Sequence, residues 1–539
     1  MPLDRIQPVG VLGRLVSTQV SPIVDLGYAQ YQGTVNTANN VTHFLGIRYA
    51  APPSGDLRFR APQPPANMSG VQQATIQPNE CFQGSTGRSP TNPLKGRATQ
   101  VIETEDCLFL NVYYPSNEVG GPLNNLPTLV WIHGGGYVSG AMSAYNGEDI
   151  IRQSDSGVVV VTIQYRLGLF GKLLLHPGSG DTLTGYIRVA GSAVKKNGAL
   201  NAGLRKVLRF ALRWISKFGG DPSKVTIWGI SAGAGSVLQQ VIAHDGRTEP
   251  QLFRAAITSS SFLPSQYRFD DPIPEFLFSE VLAQTNCATA TNSMSCLRAV
   301  DATTLEAVNT NITTSAFFGT FVFVPVVDGT FITQRPTLSL LEGKVNGEAV
   351  LSVTNTFEGT GFVDQSVSVT ASNYSLELFP RFGGLQALSV RALYSGLGTD
   401  LFQVNAVQGE SIFICPTYYL LNAFHGRAFK GEFAIPPGFH GMDQAYYFPG
   451  DSPPPFNNAA FIDAFAQSFT SFIINLDPNI KVDPTTITPH WNTFDIAHTE
   501  MLFNQTAVDG LPVVHAIETS DALLERCLFW DSVGSLTVQ

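Results

Sequence analysis

Apolar residues along this chain follow two different periods. Short unbroken apolar runs punctuated by glycine or proline alternate with stretches in which apolar residues recur every three or four positions. Thr128 to His133 reads Thr-Leu-Val-Trp-Ile-His and runs into Gly134-Gly135-Gly136; Val158 to Ile163 is rich in β-branched residues; Val225 to Trp228 leads into Gly229. Runs without polar alternation predict strands buried on both faces. Between the second and third runs, Leu200 to Phe218 sets Leu204, Val207, Leu208, Ala211, Leu212 and Ile215 on one helical face, and Gly219-Gly220-Asp221-Pro222 stops the helix. Strand, helix, strand in that order implies a right-handed crossover, hence a parallel sheet covered on both faces. Ala349 to Val353 predicts one more buried strand. The fold class is α/β. No repeat, charge block or Pro/Ser/Gly linker divides the sequence, so residues 1–539 read as one domain with insertions.

Charge narrows the function. The 32 basic residues against 42 acidic ones leave a net charge of −10, with no cationic block of the kind that tracks phosphates, which argues against a nucleic-acid partner. The longest apolar candidates, Phe317 to Val327 and Val158 to Ile163, fall short of the roughly 20 residues that cross a bilayer, so no membrane span is expected. Charged residues make up 14% of the chain, beside about 25% in typical soluble proteins, so something else must keep the surface wet. Five Asn-x-Ser/Thr sequons, at Asn40, Asn67, Asn311, Asn373 and Asn504, offer glycans for that role. Six cysteines without a Cys-x-x-Cys pair favour disulfides over a zinc site. Many connectivities are open; spacing suggests neighbours, Cys81 with Cys107, Cys287 with Cys296 and Cys415 with Cys527. Sequons and disulfides together imply a secreted, extracellular protein. Met1 to Tyr28 shows no signal-peptide pattern, because Asp4, Arg5, Gln7 and Arg14 interrupt any apolar stretch; either the start is that of a mature or trimmed chain or the protein is not secreted by the usual route, and the agreement of disulfides with sequons favours the first.

The third run carries the chemistry. Gly229-Ile230-Ser231-Ala232-Gly233 follows an apolar strand and precedes Ala234-Gly235-Ser236-Val237-Leu238, a small-residue start to a helix. A serine at so sharp a turn takes strained backbone angles and stands exposed at a helix N-terminus, while small neighbours let strand and helix approach. A hydroxyl attacks a carbonyl only when a base takes its proton and donors stabilise the resulting oxyanion. His133-Gly134-Gly135-Gly136 supplies donors, since glycines turn backbone N–H groups toward a substrate without side-chain obstruction. Gly135, Gly136 and Ala232 are assigned to that oxyanion hole.

These motifs resemble the type-B carboxylesterase and lipase family of α/β-hydrolases, which includes cholinesterases and fungal secreted carboxylesterases, lipases and sterol esterases. Further marks are Phe44-Leu45-Gly46-Ile47-Arg48-Tyr49-Ala50, Glu105-Asp106-Cys107-Leu108-Phe109-Leu110-Asn111-Val112, Trp131-Ile132-His133-Gly134-Gly135-Gly136 and Pro325-Val326-Val327-Asp328-Gly329. The resemblance implies a large, mostly parallel sheet with cap or lid insertions, and three sequential disulfides that match the neighbour pairs. It also implies a triad in the order Ser, Glu, His. Glu358, in Phe357-Glu358-Gly359-Thr360-Gly361-Phe362, fits the acid; Asp328 is the rival, but Asp-Gly is a turn signal. His440, in Gly438-Phe439-His440-Gly441-Met442-Asp443, fits the base. Ser260 and Asp443 match positions behind the triad. The implied reaction is acyl transfer from a small-molecule ester through an acyl-enzyme on Ser231, with neither metal nor cofactor. Consistently, the chain has no His-Glu-x-x-His and no Gly-x-Gly-x-x-Gly.

Departures from the family's pattern bear on substrate. Many relatives have Glu before the nucleophile; Ile230 stands there and offers a cation no attraction. The loop from Phe82 to Asp106 has Phe82 as its one aromatic, which argues against cation–π capture of choline. Its Gln83-Gly84-Ser85-Thr86-Gly87-Arg88-Ser89-Pro90-Thr91-Asn92-Pro93 is mostly polar, and a polar lid gains little from an oil surface. Phe317, Phe318, Phe321 and Phe323 suit either core packing or the lining of an acyl or aromatic pocket, with Ile230 beside the serine. The expectation is an esterase for dispersed esters of apolar or aromatic acids, hydroxycinnamoyl esters among them. The competing readings are a lipase or sterol esterase acting at interfaces, and a non-catalytic adhesion protein on the same fold.

Overall fold

The computed structural model describes residues 21–89, 103–117, 119–172, 188–189, 192–193, 199–366, 368–450, 453–507 and 510–539. Its centre is an 11-stranded sheet. In chain order the strands are β1 (Thr34–Asn36), β2 (Val41–Arg48), β3 (Phe109–Pro115), β4 (Leu126–Ile132), β5 (Val159–Ile163), β6 (Gly220–Ile230), β7 (Ala255–Ser259), β8 (Ala349–Asn355), β9 (Ala428–Phe433), β10 (Thr499–Gln505) and β11 (Pro512–Glu518). In space they run β11-β10-β9-β8-β7-β6-β4-β5-β3-β2-β1. Every pairing from β10 through to β5 is parallel, and the pairings at the two edges are antiparallel. Six helices concern the argument: α1 (Ala199–Trp214), α2 (Ala232–Ile242), α3 (Asp400–Gly409), α4 (Cys415–Asn422), α5 (Ala459–Asn475) and α6 (Asp521–Ser532).

The unbroken apolar runs do what their pattern predicts. Along β4, Val130 and Ile132 enter one core with Leu204, Val207, Leu208 and Ala211 of α1, while Leu129 and Trp131 enter the other. That second core is aromatic: Phe461, Phe465, Phe469 and Phe472 of α5 fall at helical spacing and pack on Trp228, Tyr447 and Phe433. Asn458 starts α5 by accepting a hydrogen bond from the Phe461 amide at 3.1 Å. The helix read from periodicity forms as α1 followed by a 3₁₀ turn, Ile215–Phe218, and Gly219 ends it at φ 83°. Strand β6 begins at Gly220, earlier than the turn signal around Pro222 predicts, with its register broken between Gly220 and Val225.

Three disulfides join Cys81 to Cys107, Cys287 to Cys296 and Cys415 to Cys527, the neighbour pairs that spacing suggests. Most of the polar loop, residues 90–102, lies outside the described residues. Its described start runs along the phenylalanine segment: the amides of Gly87 and Ser89 donate to Thr320 and Ala316, and that of Phe318 donates back to Ser89. Among the described residues no helix is long and apolar enough to cross a membrane. Of the sequons, Asn40, Asn67, Asn311 and Asn373 are exposed and Asn504 is half-buried.

Where β8, β9 and β10 adjoin, a buried ion pair replaces apolar packing. Lys430 is fully buried and donates to Glu500 at 2.7 Å, to the Gly431 carbonyl at 2.7 Å and to Thr354 at 2.9 Å. Burial pushes the Glu500 carboxyl upward, but Lys430 and hydrogen bonds from Thr519 and Tyr418 outweigh it and hold the carboxyl below its ordinary range. Removing one partner strands the other charge in the core, so Lys430→Met is expected to cost about 3–5 kcal/mol in denaturant unfolding. The double variant Lys430→Met/Glu500→Leu should recover most of that loss; equal costs for the single and double variants would contradict the pairing.

Candidate active site

The chain leaves β5 and crosses over β4 to begin β6, so the connections from β4 and β6 diverge. A crevice opens where strand order reverses, at the carboxyl ends of those strands. The His133-Gly-Gly-Gly turn leaves β4 at this crevice, and Ser231 leaves β6 beside it. A Cβ on Gly134 would sit 3.1 Å from that of Ser231.

Ser231 adopts φ 55° and ψ −123°, outside the usual regions for a residue with a side chain. The surrounding glycines permit this. A Cβ at Gly229 would stand 2.3 Å from the Gly233 backbone, and one at Gly233 would stand 2.1 Å from the Ile132 carbonyl oxygen. The turn is held by the Ser231 amide donating to Ser259 at 2.9 Å and by the Gly235 amide donating to Ser231 at 2.8 Å. The serine is half-buried at the N-terminus of the 11-residue α2. Gly135 and Gly136 take φ values of 101° and 62°, and their amides donate to no group among the described residues. The Ala232 amide opens α2, where first-turn donors have no partner within the helix.

Ser260 and Glu358 follow β7 and β8 at the same sheet end. Glu358 is buried, at 1% exposure, and one carboxylate oxygen accepts from Ser260 Oγ at 2.7 Å and from the Asn355 amide at 2.7 Å. Its other oxygen meets His440 Nδ1 at 2.5 Å. His440 lies beyond β9, between Gly438 and Gly441, both at positive φ. The Phe357 amide donates to the Gly438 carbonyl at 2.8 Å and so ties the acid's loop to the histidine's. Phe362 and Phe413 pack against the imidazole, with ring centres 4.9 and 4.5 Å away. Bonded neighbours thus run from Ser231 through Ser259 and Ser260 to Glu358 and His440. Among the described residues neither Ser231 Oγ nor His440 Nε2 makes a hydrogen bond, so no other group occupies these two atoms.

Behind the carboxylate, Asn355 Nδ2 donates to Asp443 at 3.0 Å, and Tyr447 donates to the other Asp443 oxygen at 2.6 Å. Burial raises the Asp443 carboxyl above its usual range, against those two hydrogen bonds. Asn355 was not singled out from sequence; its place three residues before Glu358, closing the loop onto the carboxylate, is the signal that would have found it. The rival acid Asp328 does turn work instead: one oxygen accepts from the amides of Thr330, Phe331 and Ile332 at 2.8–3.0 Å.

The predicted pocket residues part company. Phe317, Phe321 and Phe323 line a cavity of about 330 Å³ together with Phe262, Phe379 and Ile412. Phe318 is not among its lining residues, and Ile230 is buried in the aromatic core. None of Ser231, Glu358 and His440 lines the cavity. The link is Phe321, whose ring lies against Gly136 so closely that any Cβ there would clash.

His133, the start of the glycine turn, is buried and stacked on Tyr165, with Nδ1 2.8 Å from the Gly134 carbonyl. Burial pulls it from 6.5 down to about 4, the backbone hydrogen bond opposing only in part. The unfolded chain therefore takes up this proton first. Stability is fully present above about pH 6.5 and falls as pH drops toward 4, by about 3 kcal/mol from this group. Denaturant unfolding at pH 7 and pH 4.5 should show the loss, and His133→Asn should flatten the dependence; an unchanged slope would refute it.

Known proteins resemble this chain in sequence and in fold. The carboxylesterase family model matches residues 20–379. Carboxylesterase patB of Penicillium expansum is 28% identical over 95% of this chain and 96% of its own length. Lipase 4 of Diutina rugosa is 30% identical over 77% of this chain and 80% of its own. The crystal structure of Aspergillus niger EstA superposes with a TM-score of 0.82 at 28% identity, covering 96% of this chain and 99% of that one. A strained serine turn at a sheet's switch point, a buried carboxylate on a histidine, and these likenesses lead to one conclusion: the chain belongs to the carboxylesterase family and is a carboxylic ester hydrolase with the α/β-hydrolase fold.

Proposed function

We propose that Ser231, His440 and Glu358 form the catalytic triad, and that the substrates are dispersed esters with apolar or aromatic acyl groups, hydroxycinnamoyl esters among them. The observation that carries the triad is the 2.5 Å contact of buried Glu358 on His440, at the same sheet end as Ser231. His440 accepts the Ser231 proton as Oγ attacks the ester carbonyl, then returns it to the leaving alcohol; water repeats the sequence to release the acid. The carboxylate fixes the Nδ1–H tautomer and stabilises the imidazolium. The amides of Gly135, Gly136 and Ala232 receive the negative oxygen, at a site where one such donor is typically worth about 3–4 kcal/mol.

The acyl preference draws support from the phenylalanine cavity against the oxyanion turn, and from the polar start of the loop at Gln83. Secretion draws support from three disulfides. Rates on p-nitrophenyl esters of increasing acyl length and on methyl ferulate, taken below and above micelle formation, test the substrate reading. We expect medium acyl or aromatic esters to be preferred, with no jump on aggregation. A large interfacial jump would instead favour the lipase reading.

A further inference from the structure

A groove of about 680 Å³ lies away from the phenylalanine cavity, on the sheet face formed by β9, β10 and β11. Side chains along β10 alternate: Met501 and Phe503 are buried in the aromatic core, whereas Leu502 and Asn504 line the groove. The facing wall is aromatic. Phe357, Phe402 and Phe439 line it while exposing 41%, 44% and 40% of their surfaces, and the rings of Phe357 and Phe402 meet edge to face at 6.1 Å. Three phenylalanines left wet in one concavity mark a surface that something covers.

The sequence of the groove itself names an occupant. Asn504-Gln505-Thr506 is a glycosylation sequon. Asn504 Oδ1 accepts from the Gln505 amide at 2.8 Å, while its Nδ2, the atom that would carry a sugar, makes no hydrogen bond among the described residues. We propose that Asn504 carries an N-linked glycan whose first N-acetylglucosamine residues lie in this groove, with their C–H faces stacked on the three phenylalanine rings. In the transfer, a bond forms from Nδ2 to C1 of the first sugar, the C1–O bond to a lipid-diphosphate oligosaccharide donor breaks, and the proton lost from Nδ2 leaves with the diphosphate. Sugar rings suit this wall better than a plain aliphatic ligand does, because they present apolar faces to the rings and hydroxyls to the water at the groove's mouth. The position has a consequence for the site. Phe357 directly precedes Glu358, Phe439 directly precedes His440, and the two loops are bonded to each other, so the glycan braces the loops that carry acid and base.

The inference rests on the secretory reading above, and one experiment separates the two. The full chain is produced in a glycosylating eukaryotic host, glycopeptides are mapped by mass spectrometry, and release by an endoglycosidase is timed on the native protein. We expect Asn504 to be occupied and its glycan to leave about tenfold more slowly than those on the exposed Asn67 or Asn373, the equivalent of one or two aromatic contacts. Phe402→Ala should abolish the difference, as should denaturation before digestion. Occupied Asn67 and Asn373 with a bare Asn504, or equal release rates on the native protein, would overturn the proposal and leave secretion standing. A bare Asn504 with a dimer that Phe402→Asp dissociates would overturn it in favour of a second copy in the groove. Five bare sequons would overturn the proposal and the secretory reading together.

Discussion

Ser231→Ala should lower kcat by roughly 10⁴- to 10⁶-fold while leaving the fold in place, because losing the nucleophile of a triad costs about as much as losing the whole triad. The substitution removes one oxygen from a half-buried position where Oγ makes no hydrogen bond among the described residues. The backbone bonds that hold the turn, from the Ser231 amide to Ser259 and from the Gly235 amide to Ser231, do not involve the side chain. Thermal unfolding should therefore stay near wild type while turnover vanishes. What remains should be the roughly 10³- to 10⁴-fold advantage over water that an oxyanion hole and binding supply alone. A variant retaining a tenth of its activity would move the nucleophile elsewhere.

The second large effect separates the two candidate acids. Glu358→Gln should reduce kcat by roughly 10³- to 10⁴-fold, since an amide beside Nδ1 holds the wrong tautomer and cannot stabilise an imidazolium. KM should change little, because the carboxylate lies behind the histidine, buried from substrate. Asp328→Asn should show the reverse: near-normal turnover with stability lowered by about 1–2 kcal/mol, because a charged acceptor of three backbone amides is weakened. If Asp328→Asn abolished turnover and Glu358→Gln spared it, the acid would be misassigned.

The centre of this molecule was legible because its chemistry is local. The strands β4 to β6 announce themselves as apolar runs, and the Gly-x-Ser-x-Gly turn explains its own glycines once the Gly229, Gly233 and Ile132 backbones are seen to touch. The proposed acid and base are legible only through family resemblance, since nothing near Glu358 or His440 in sequence says that they meet. What escaped is what depends on long-range packing. Phe362 and Phe413 enclose the imidazole from segments 78 and 27 residues upstream of it, and before the chain is folded they are two phenylalanines among 36. Arg526 grips buried Glu410 with two hydrogen bonds of 2.7 Å across 116 residues. The phenylalanine cluster is visible in sequence, yet Phe317, Phe321 and Phe323 line the cavity and Phe318 does not, a division set by packing against Phe262, Phe379 and Ile412 from distant segments.

Fluorophosphonate labelling followed by peptide mapping tests the central claim most directly, because the reagent records which oxygen has been made a nucleophile. The expected result is a single stoichiometric adduct on Ser231, formed at least 10³-fold more slowly in His440→Ala under the same conditions, in line with the loss of a general base. An adduct on another residue, or labelling of Ser231 at an undiminished rate without the histidine, would contradict the triad.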